Sequence, residues 1–354
     1  MGMRPSRNVW HARNRILDEV LSFLIRDQTL TKTLLIGGSG RSGTTILCRT
    51  MGRHPLVTDV PEWRFPSDPD GVIDFYTQSV EGIQSPFHFD VRLKRLGALL
   101  SDVADRGPID RVLGSARFRR WSMNAFRRNL SPAYARTNAV DFSPNFQQLS
   151  AELIDTLTSF TYLGYWVGMS PFEKASLSFS DGTRDQIRSA CQTFLESVAA
   201  DVCSAQGVKY HLEKNTWSIL CWDRTLEVLP DAKLVHIVRD PRDVVASYRG
   251  QSWVPTDASQ AARLLASIMG RWDDISRCVP SDSYFEVRLE DLVRNPESHL
   301  RQICDFWDLN WDDSLLETKF STGSFGRWQY DLSPQDSESV SELLAPAMTK
   351  YGYA

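Results

Sequence analysis

The sequence is most informative at Thr33-Leu-Leu-Ile-Gly-Gly-Ser-Gly-Arg-Ser-Gly-Thr-Thr-Ile-Leu-Cys48. A short apolar run there leads into a glycine-rich turn, and the turn leads into a helix-like segment that begins with two threonines. Small residues let backbone N–H groups approach an anion, and the N-terminus of a helix adds a partial positive charge. The stretch therefore predicts a strand, a phosphate-binding loop and a helix, and hence a phosphorylated ligand.

The loop matches only part of the pattern G-x-x-x-x-G-K-[ST] of nucleoside triphosphatases and kinases. Gly38 and Gly43 have the required separation, and Thr45 fits the last position. The lysine of the pattern, which reaches the β- and γ-phosphates, is replaced by Thr44. Hydrolysis of ATP or GTP is therefore not expected.

A dinucleotide-binding pattern is a second interpretation of the loop. Gly38, Gly40 and Gly43 form a literal G-x-G-x-x-G, and Asp59 follows Gly38 by 21 residues, where an acid could hold a ribose hydroxyl. This pattern would suit an NAD(P)-dependent oxidoreductase, and a nucleotide-binding module without catalysis would carry a similar loop. Both alternatives leave Arg41 and the threonine pair without a role.

The segment Gly40-Arg-Ser-Gly-Thr-Thr45 resembles the 5′-phosphosulfate loop of sulfotransferases that use 3′-phosphoadenosine-5′-phosphosulfate (PAPS). In that family the loop wraps the 5′-phosphate and a cation faces the sulfuryl group, so the resemblance implies a catalytic role for Arg41. The position of the usual proline is Gly40 in this chain. The resemblance implies cofactor contacts from Gly40, Arg41, Ser42, Gly43, Thr44 and Thr45.

A second strand, turn and helix are indicated by Lys233-Leu-Val-His-Ile-Val-Arg-Asp-Pro-Arg-Asp-Val-Val-Ala-Ser247. Helical spacing places Ser247 about two turns beyond the strand end, on a face shared with Asp243. An ion pair of Arg239 with Asp240 or Asp243 would be the ordinary explanation of the charged turn. The resemblance to sulfotransferases implies instead that Arg239 and Ser247 hold the 3′-phosphate of PAPS.

Three shorter segments carry the resemblance further along the chain. Glu213-Lys-Asn-Thr-Trp217 resembles the lysine-bearing turn of the family, which implies that Lys214 meets the bridging oxygen as the bond to sulfur breaks. A surface ion pair with Glu213 is the alternative for this lysine.

Arg288-Leu-Glu-Asp-Leu-Val-Arg-Asn-Pro-Glu297 resembles the strand and helix that follow. Gly323-Ser-Phe-Gly-Arg-Trp328 resembles the loop that closes over adenosine, which implies that Arg327 is a third cofactor contact.

The general base is expected in the segment Val60-Pro-Glu-Trp-Arg64. Tyrosine-sulfating members of the family have a Glu and an Arg in the same relation to the loop. The match implies that Glu62 is the base and that Arg64 is its neighbour or an acceptor contact. A carboxylate works as a base when its position or burial moves its pKa toward neutrality. Because other branches of the family use a histidine, His88 is the alternative base and a candidate acceptor contact.

The fold class follows from the alternation of strands and helices along the chain. Apolar runs that read as strands are separated by helical segments and lie at 34–36, 208–213, 234–238 and 284–289. This order predicts an α/β fold with a mostly parallel central sheet covered by helices on both faces, a three-layer arrangement like that of phosphate-loop proteins. Both anion-binding turns follow strands, and ligands bind beyond the carboxyl ends of such strands.

The domain organisation is expected to be simple. We expect a single domain over residues 1–354, with a largely helical insertion over residues 85–205 that contributes to the acceptor site. Within the insertion, the aromatic-rich stretch at 162–172 is expected to pack in the core, and a wall of the acceptor pocket is the alternative.

Composition excludes several other classes of protein. The chain has 354 residues and a net charge of −4 without a dominant basic tail, so nucleic acid is not an expected partner. Its six cysteines form no C-x-x-C pair and no cluster with zinc spacing, so we expect reduced thiols and no metal. The N-terminus lacks a secretion signal and no run of eighteen apolar residues occurs, so we expect a cytoplasmic protein without a transmembrane segment.

These patterns together predict a PAPS-dependent sulfotransferase. The enzyme would move a sulfuryl group to a hydroxyl or amine of a small molecule, a saccharide or a lipid by in-line displacement. Positioning and cations supply most of the catalysis in the related transfer of phosphoryl groups. The sequence gives no indication of the oligomeric state.

Overall fold

The computed structural model describes residues 31–63, 65–104, 138–168 and 175–353. The strands there are, in chain order, β1 (Lys32–Gly38), β2 (Phe160–Gly164), β3 (Ala175–Phe179), β4 (Tyr210–Lys214), β5 (Lys233–Val238) and β6 (Tyr284–Arg288). The α-helices are α1 (Thr44–Met51), α2 (Val72–Glu81), α3 (Pro86–Ala104), α4 (Phe146–Leu157), α5 (Arg184–Gln206), α6 (Trp222–Val228), α7 (Pro241–Tyr248), α8 (Ala258–Cys278), α9 (Leu289–Arg294), α10 (Pro296–Phe306), α11 (Trp328–Asp331) and α12 (Pro334–Tyr351).

Four strands form one parallel sheet in the order β4-β1-β5-β6. The central position of β1 follows from its sequence, because Leu34, Leu35 and Ile36 are apolar at successive positions and all three are buried. A strand that is covered on both faces needs this pattern. All four strands predicted from the sequence are confirmed, and the sheet is parallel throughout.

Helices cover the sheet on both faces, which confirms the three-layer arrangement. On one face Leu35 and Leu234 join a core that also contains apolar residues of α2, α3, α4, α5 and α6. On the other face Leu34, Ile36 and Val235 pack with α1 and α10. Because alternate residues of a strand point to opposite faces, β1 contributes to both cores.

The strand order places a crevice at the carboxyl ends of β1 and β5. The chain leaves β1 toward β4 on one side of the sheet and leaves β5 toward β6 on the other side. Ligands of open α/β sheets bind where the connections diverge in this way. Both predicted anion-binding turns therefore lie at one edge of the sheet.

The insertion over 85–205 contains the long helices α3, α4 and α5, in agreement with the predicted helical character. It also contains an antiparallel hairpin of β2 and β3 that the sequence did not predict. The expectation that the aromatic stretch packs in the core is wrong for Tyr165 and Trp166, which are 58% and 52% exposed. A two-stranded hairpin has too few neighbours to bury both of its faces. Residues 169–172 of that stretch lie outside the described ranges.

The thiols and the helix lengths bear on two further expectations. All six cysteines are free thiols, and Cys278 is exposed while Cys191, Cys203 and Cys304 are buried. Within the described ranges, the helices are each too short or too polar to cross a lipid bilayer.

Candidate active site

The turn after β1 has an unusual backbone conformation. Gly40, Arg41 and Gly43 have φ angles of 83°, 57° and 111°, and a positive φ is uncommon for a residue with a side chain such as Arg41. Gly43 precedes α1 directly, and no side chain caps the helix there. The first N–H groups of a helix have no partner within the helix, so the turn leaves donors that can receive an anion.

Two glycines of the turn are required by close packing as well as by backbone angle. A Cβ atom at Gly43 would lie 2.8 Å from Leu289 Cδ1 and 3.0 Å from Ile237 Cδ1. At Gly40 it would lie 2.8 Å from the ring of Trp253. The loop is therefore held tightly between α9, β5 and the segment that follows α7.

Lys214 and Glu62 form an ion pair beside the loop. The Lys214 Nζ lies 2.7 Å from Glu62 Oε2, and the side chains are 12% and 33% exposed. The same Nζ donates to Thr45 Oγ1 at 3.2 Å, at the first turn of α1. The structure thus brings together the predicted base, the predicted cation and one predicted loop residue, although they lie far apart in sequence.

The segment that carries Glu62 is anchored by the residue after it. Trp63 is 2% exposed and packs edge-on against Phe142 and Phe146 at ring distances of 5.7 and 6.3 Å. Burial of a large aromatic side chain contributes about 2–3 kcal/mol. This anchor holds the otherwise irregular residues 59–63 against the insertion and so positions Glu62.

The alternative prediction, a surface ion pair of Lys214 with Glu213, is wrong. Glu213 is 6% exposed and points to the opposite face of β4, as alternation along a strand requires. Burial, with the charges of Asp68 and Glu62, raises the pKa of the Glu213 carboxyl well above its usual value. Burial also lowers the pKa of His211, on the same face, to about 4. Glu213 and His211 line a cavity of about 30 Å³.

Arg239 follows β5 and is buried in the turn before α7. Its Nη2 lies 3.3 Å from Asp243 Oδ2, with the side chains 5% and 1% exposed, so the ordinary ion pair considered for this turn is present. The same guanidinium donates to the backbone oxygens of Arg41, at 3.2 Å, and of Ser324. Arg239 therefore connects the loop after β1 with the segment Gly323–Trp328.

Asp243 fixes that segment from the other side. Its two oxygens accept from the backbone N–H groups of Gly326 at 2.9 Å and Trp328 at 3.0 Å. The segment that resembles an adenosine-covering loop is thus tied to α7 directly.

Arg41 and Ser247 are in direct contact. The Arg41 Nε donates to Ser247 Oγ at 2.9 Å. The resemblance assigns Arg41 to the sulfuryl end of a ligand and Ser247 to its 3′-phosphate, so the contact shows that residues meant for opposite ends of the ligand are within reach of each other. A ligand that bridges both positions has to separate them.

Some buried polar atoms of the site have no partner in the part of the chain that the structure describes. These atoms are Ser42 Oγ, on a side chain that is fully buried, and Arg239 Nε. Buried hydroxyl and guanidinium groups are normally hydrogen-bonded, because an unpaired one costs about 1–3 kcal/mol. Together with the glycine turn and the cations Arg41 and Lys214, they fit a ligand with several anionic oxygens.

Of three further predicted contacts, Arg327 and His88 have other partners and Arg64 is not described. Arg327 Nε donates to Asp331 Oδ2 at 2.6 Å, a pairing one helical turn apart on the protein surface. His88 is exposed in the first turn of α3, and its Nδ1 shares a hydrogen bond of 2.7 Å with Ser85 Oγ. Arg64 lies outside the described residues.

The geometry does not favour the dinucleotide interpretation. An acid that holds a ribose hydroxyl should follow the strand next to β1, and those strands end at Lys214 and Val238. Asp59 is exposed in an irregular segment, where its backbone N–H donates to Gln206 Oε1.

Two tryptophans beside the loop were not assigned a role from the sequence. Trp217 and Trp253 are 40% and 44% exposed, and their ring centroids lie 5.7 Å apart. Trp217 belongs to a matched motif but was given no role, and Trp253 lies in a loop without a recognisable pattern. Only the strand order could have indicated that they meet.

A cavity of about 430 Å³ lies away from these residues, between α4 and α5, and its lining also includes Ser180, Asp181 and Gly182. Its lining includes no residue of the loop or of the turn after β5. Among the described residues, no group of His, Cys, Asp and Glu side chains could hold a metal ion.

Comparison with known proteins gives a consistent picture. A family model described as "Sulfotransferase family" matches residues 34–313. The omega-hydroxy-beta-dihydromenaquinone-9 sulfotransferase Stf3 of Mycobacterium bovis and that of Mycobacterium tuberculosis are each 26% identical over 144 residues. That match covers 36% of this chain and 37% of the relative, so the chain aligns with little more than a third of the length of these curated relatives.

Two solved structures are similar to this chain at low sequence identity. A sulfotransferase domain from the olefin synthase of Synechococcus PCC 7002 has 18% identity and a TM-score of 0.47, covering 90% of this chain and 96% of its own. Sulfotransferase STF9 of Mycobacterium avium has 16% identity and a TM-score of 0.43, covering 96% and 80%.

Proposed function

Since this chain belongs to the sulfotransferase family, we propose that it transfers a sulfuryl group from PAPS to a hydroxyl or amine of a small molecule, a saccharide or a lipid. The observation that carries the proposal is the position of Lys214, which lies between Glu62 at 2.7 Å and Thr45 of the loop at 3.2 Å. The proposed base, Glu62, and the proposed cation, Lys214, thus lie together at the N-terminus of α1, where an anion would bind.

The donor would be held at both of its ends. The turn Gly40–Gly43, with Thr44 and Thr45, would hold the 5′-phosphosulfate through backbone N–H groups and hydroxyls. Arg239 and Ser247 would hold the 3′-phosphate, because charge-assisted bonds to phosphate are strong and directional. The buried Ser42 Oγ and Arg239 Nε, which have no partner within the described ranges, support this assignment. When bound, PAPS supplies the sulfuryl group that is transferred.

Glu62 would accept the proton of the acceptor hydroxyl, so that the acceptor oxygen can bond to sulfur. Lys214 would stabilise the negative charge that develops on the departing phosphate oxygen, and Arg41 the charge on the sulfuryl oxygens. The ion pair orients the Glu62 carboxylate and the Lys214 ammonium group toward each other beside the loop. If Lys214 moves toward the negative charge that develops on the phosphate, Glu62 loses its ion-pair partner. Its carboxylate would then accept the proton of the acceptor hydroxyl more readily.

The acceptor class is narrowed by the curated relatives. Their name describes sulfation of a hydroxylated menaquinone, which is a lipid. A lipid-like acceptor is therefore the first to test for this chain, and the insertion over 85–205, with Arg64 and His88 as candidate contacts, would supply part of the acceptor site. Arg327 would be a third contact of the cofactor only if its pairing with Asp331 opens.

A binding assay and a transfer assay test the proposal. Adenosine 3′,5′-bisphosphate should raise the melting temperature of the protein and NAD should not, since a ligand at a hundred times its dissociation constant stabilises by about 2.7 kcal/mol. Label from radioactive PAPS should then appear on an added alcohol. Stabilisation by NAD alone would support the oxidoreductase instead, and binding of the bisphosphate without transfer to any acceptor would support a non-catalytic module.

A further inference from the structure

Two partly exposed tryptophans stand at the edge of the loop. Trp217 and Trp253 are 40% and 44% exposed, whereas Trp63, Trp222 and Trp272 in the cores are 2% exposed or less. The planes of the pair meet at 69° with centroids 5.7 Å apart. Two indole rings placed edge to face form an apolar corner that is open to solvent.

The pair is held rigidly against the loop. Trp253 packs on Tyr248 at a ring distance of 5.6 Å, and Tyr248, which is fully buried, donates to the backbone oxygen of Ser39. The ring of Trp253 also covers Gly40 so closely that a Cβ atom there would lie 2.8 Å away. A surface that is already positioned loses little entropy when a ligand binds.

The corner also lies next to the proposed base. Thr216 precedes Trp217, and its Oγ1 donates to Glu62 Oε1 at 3.4 Å. Its backbone oxygen accepts from Gly38 N–H at 2.9 Å at the end of β1. A Cβ atom at Gly40 would lie 3.1 Å from Thr216 Cγ2, so Thr216 stands between the loop, the tryptophans and Glu62.

Two polar groups at the corner are already engaged in hydrogen bonds. The indole Nε1 of Trp253 donates to Gln251 Oε1 at 3.3 Å, and the Thr216 hydroxyl bonds to Glu62. A saccharide needs several free hydrogen-bond partners around its ring, because each of its hydroxyls must be paired when it loses water. An apolar group needs only the two indole surfaces.

We propose that Trp217 and Trp253 form the surface that receives the apolar part of the acceptor, and that the acceptor is an alcohol or phenol carrying an extended hydrocarbon or aromatic group. This inference rests on the proposed function, because the hydroxyl of such a molecule would then lie at Glu62. The two tryptophans determine which acceptors bind, and the loop and Arg239 determine the donor.

The test uses 8-bromo-1-octanol, whose bromine quenches tryptophan fluorescence on contact. The full chain is titrated in the presence of adenosine 3′,5′-bisphosphate, and the dissociation constant is taken from the saturable part of the quenching. Trp217→Ala and Trp253→Ala should each raise that constant about tenfold, as expected for the loss of some 50–60 Å² of apolar contact. Trp311→Ala is the matched control, because Trp311 is partly exposed and packs against Arg301 of α10 rather than against the loop, and it should change the constant less than twofold.

Each result of this experiment decides the inference. It is overturned if Trp311→Ala weakens binding as much as the two variants beside the loop, if neither of those variants weakens it, or if the wild type shows no saturable quenching. A rise in melting temperature with the bisphosphate is measured on every variant. Its absence in the wild type would contradict the proposed donor, whereas its presence without saturable quenching would reject only the tryptophan surface.

Discussion

Lys214 Nζ and Glu62 Oε2 lie 2.7 Å apart at the carboxyl end of the sheet. The contact exists because β4 pairs with β1 in parallel, with Lys214 opposite Ile36. Lys214 is thereby placed at the start of the loop, and Glu62 reaches it from the irregular segment that Trp63 anchors. The pair is the meeting point of the two halves of the chain that flank the insertion.

Replacement of Lys214 by alanine should slow sulfuryl transfer by about 10²–10³-fold, the usual effect of removing one donor that stabilises a developing charge. The fold should persist, since the ammonium group lies at the edge of the sheet. Lys32→Ala is the control, because Lys32 pairs with Asp308 at the other end of β1. Steady-state rates measure the effect, and near-normal turnover of Lys214→Ala would remove its assignment.

Glu62→Gln and His88→Ala distinguish the two candidate bases. The structure places Glu62 at the loop and His88 at Ser85, so the glutamine variant should lose about 10²–10⁴-fold in turnover and the His88 variant should be close to wild type. Binding of adenosine 3′,5′-bisphosphate should be retained in both. The reverse order of activities would transfer the role of base to His88.

Ser247→Ala should raise the KM for PAPS by about tenfold or more, the effect of one lost bond to a charged phosphate. It should also reduce the preference for PAPS over adenosine 5′-phosphosulfate, which lacks the 3′-phosphate. Because the variant only removes the hydroxyl that Arg41 contacts, its melting temperature should change little. An unchanged preference would exclude Ser247 from the 3′-phosphate site.

Arg239→Ala should abolish the preference for PAPS over adenosine 5′-phosphosulfate but should also cost about 3–5 kcal/mol of stability, because it leaves the buried Asp243 without its cationic partner. The double variant Arg239→Ala/Asp243→Asn removes the unpaired charge and should recover part of that stability without recovering the preference. Urea unfolding and the ratio of kcat/KM for the two donors separate the structural effect from the binding effect. Recovery of the preference in the double variant would reject the role of Arg239.

His211 and Glu213 should give opposite dependences of stability on pH. The pKa of His211 is lowered by burial to about 4, so its favourable contribution to stability is present above pH 6.5 and is lost as the pH falls toward 4, by up to about 3 kcal/mol. The pKa of Glu213 is raised, chiefly by burial, so its contribution is present below pH 4.5 and is lost as the pH rises.

Urea unfolding of His211→Gln and Glu213→Gln between pH 4.5 and 7 measures these contributions. Relative to wild type, the His211 variant should gain stability as the pH is lowered, and the Glu213 variant should gain stability as the pH is raised. Curves that run parallel to wild type would show that neither group changes its pKa on folding.

Much of the local structure could be predicted because its signals are local in sequence. The apolar run of β1, the glycines with positive φ and the proline that starts α7 each reflect the conformation of a few neighbouring residues. The same holds for the parallel strands, whose apolar runs indicate burial on both faces. The hairpin of β2 and β3 was not predicted from the sequence. Its aromatic residues are exposed, but in composition they resemble residues that pack in a core.

The assembled site was harder to predict than its parts. The motifs predict catalytic or cofactor roles for Arg41, Lys214, Arg239 and Ser247, which stay predictions, but they did not predict the pairing of Arg327 with Asp331. That pairing could have been anticipated, since an acid four residues after an arginine is a common helical partner. The partnership of Trp217 and Trp253 had no such local signal.

The amino-acid sequence alone was enough for the glycine-rich turn, the parallel sheet and the sulfotransferase family, because each is recognised from residues that are close together in the chain. Which side chains meet was settled only when the strands took the order β4-β1-β5-β6. That order brings Lys214 to Glu62 and Arg41 to Ser247. Contacts between distant segments depend on how elements pack against each other, and no local pattern of residues encodes that choice.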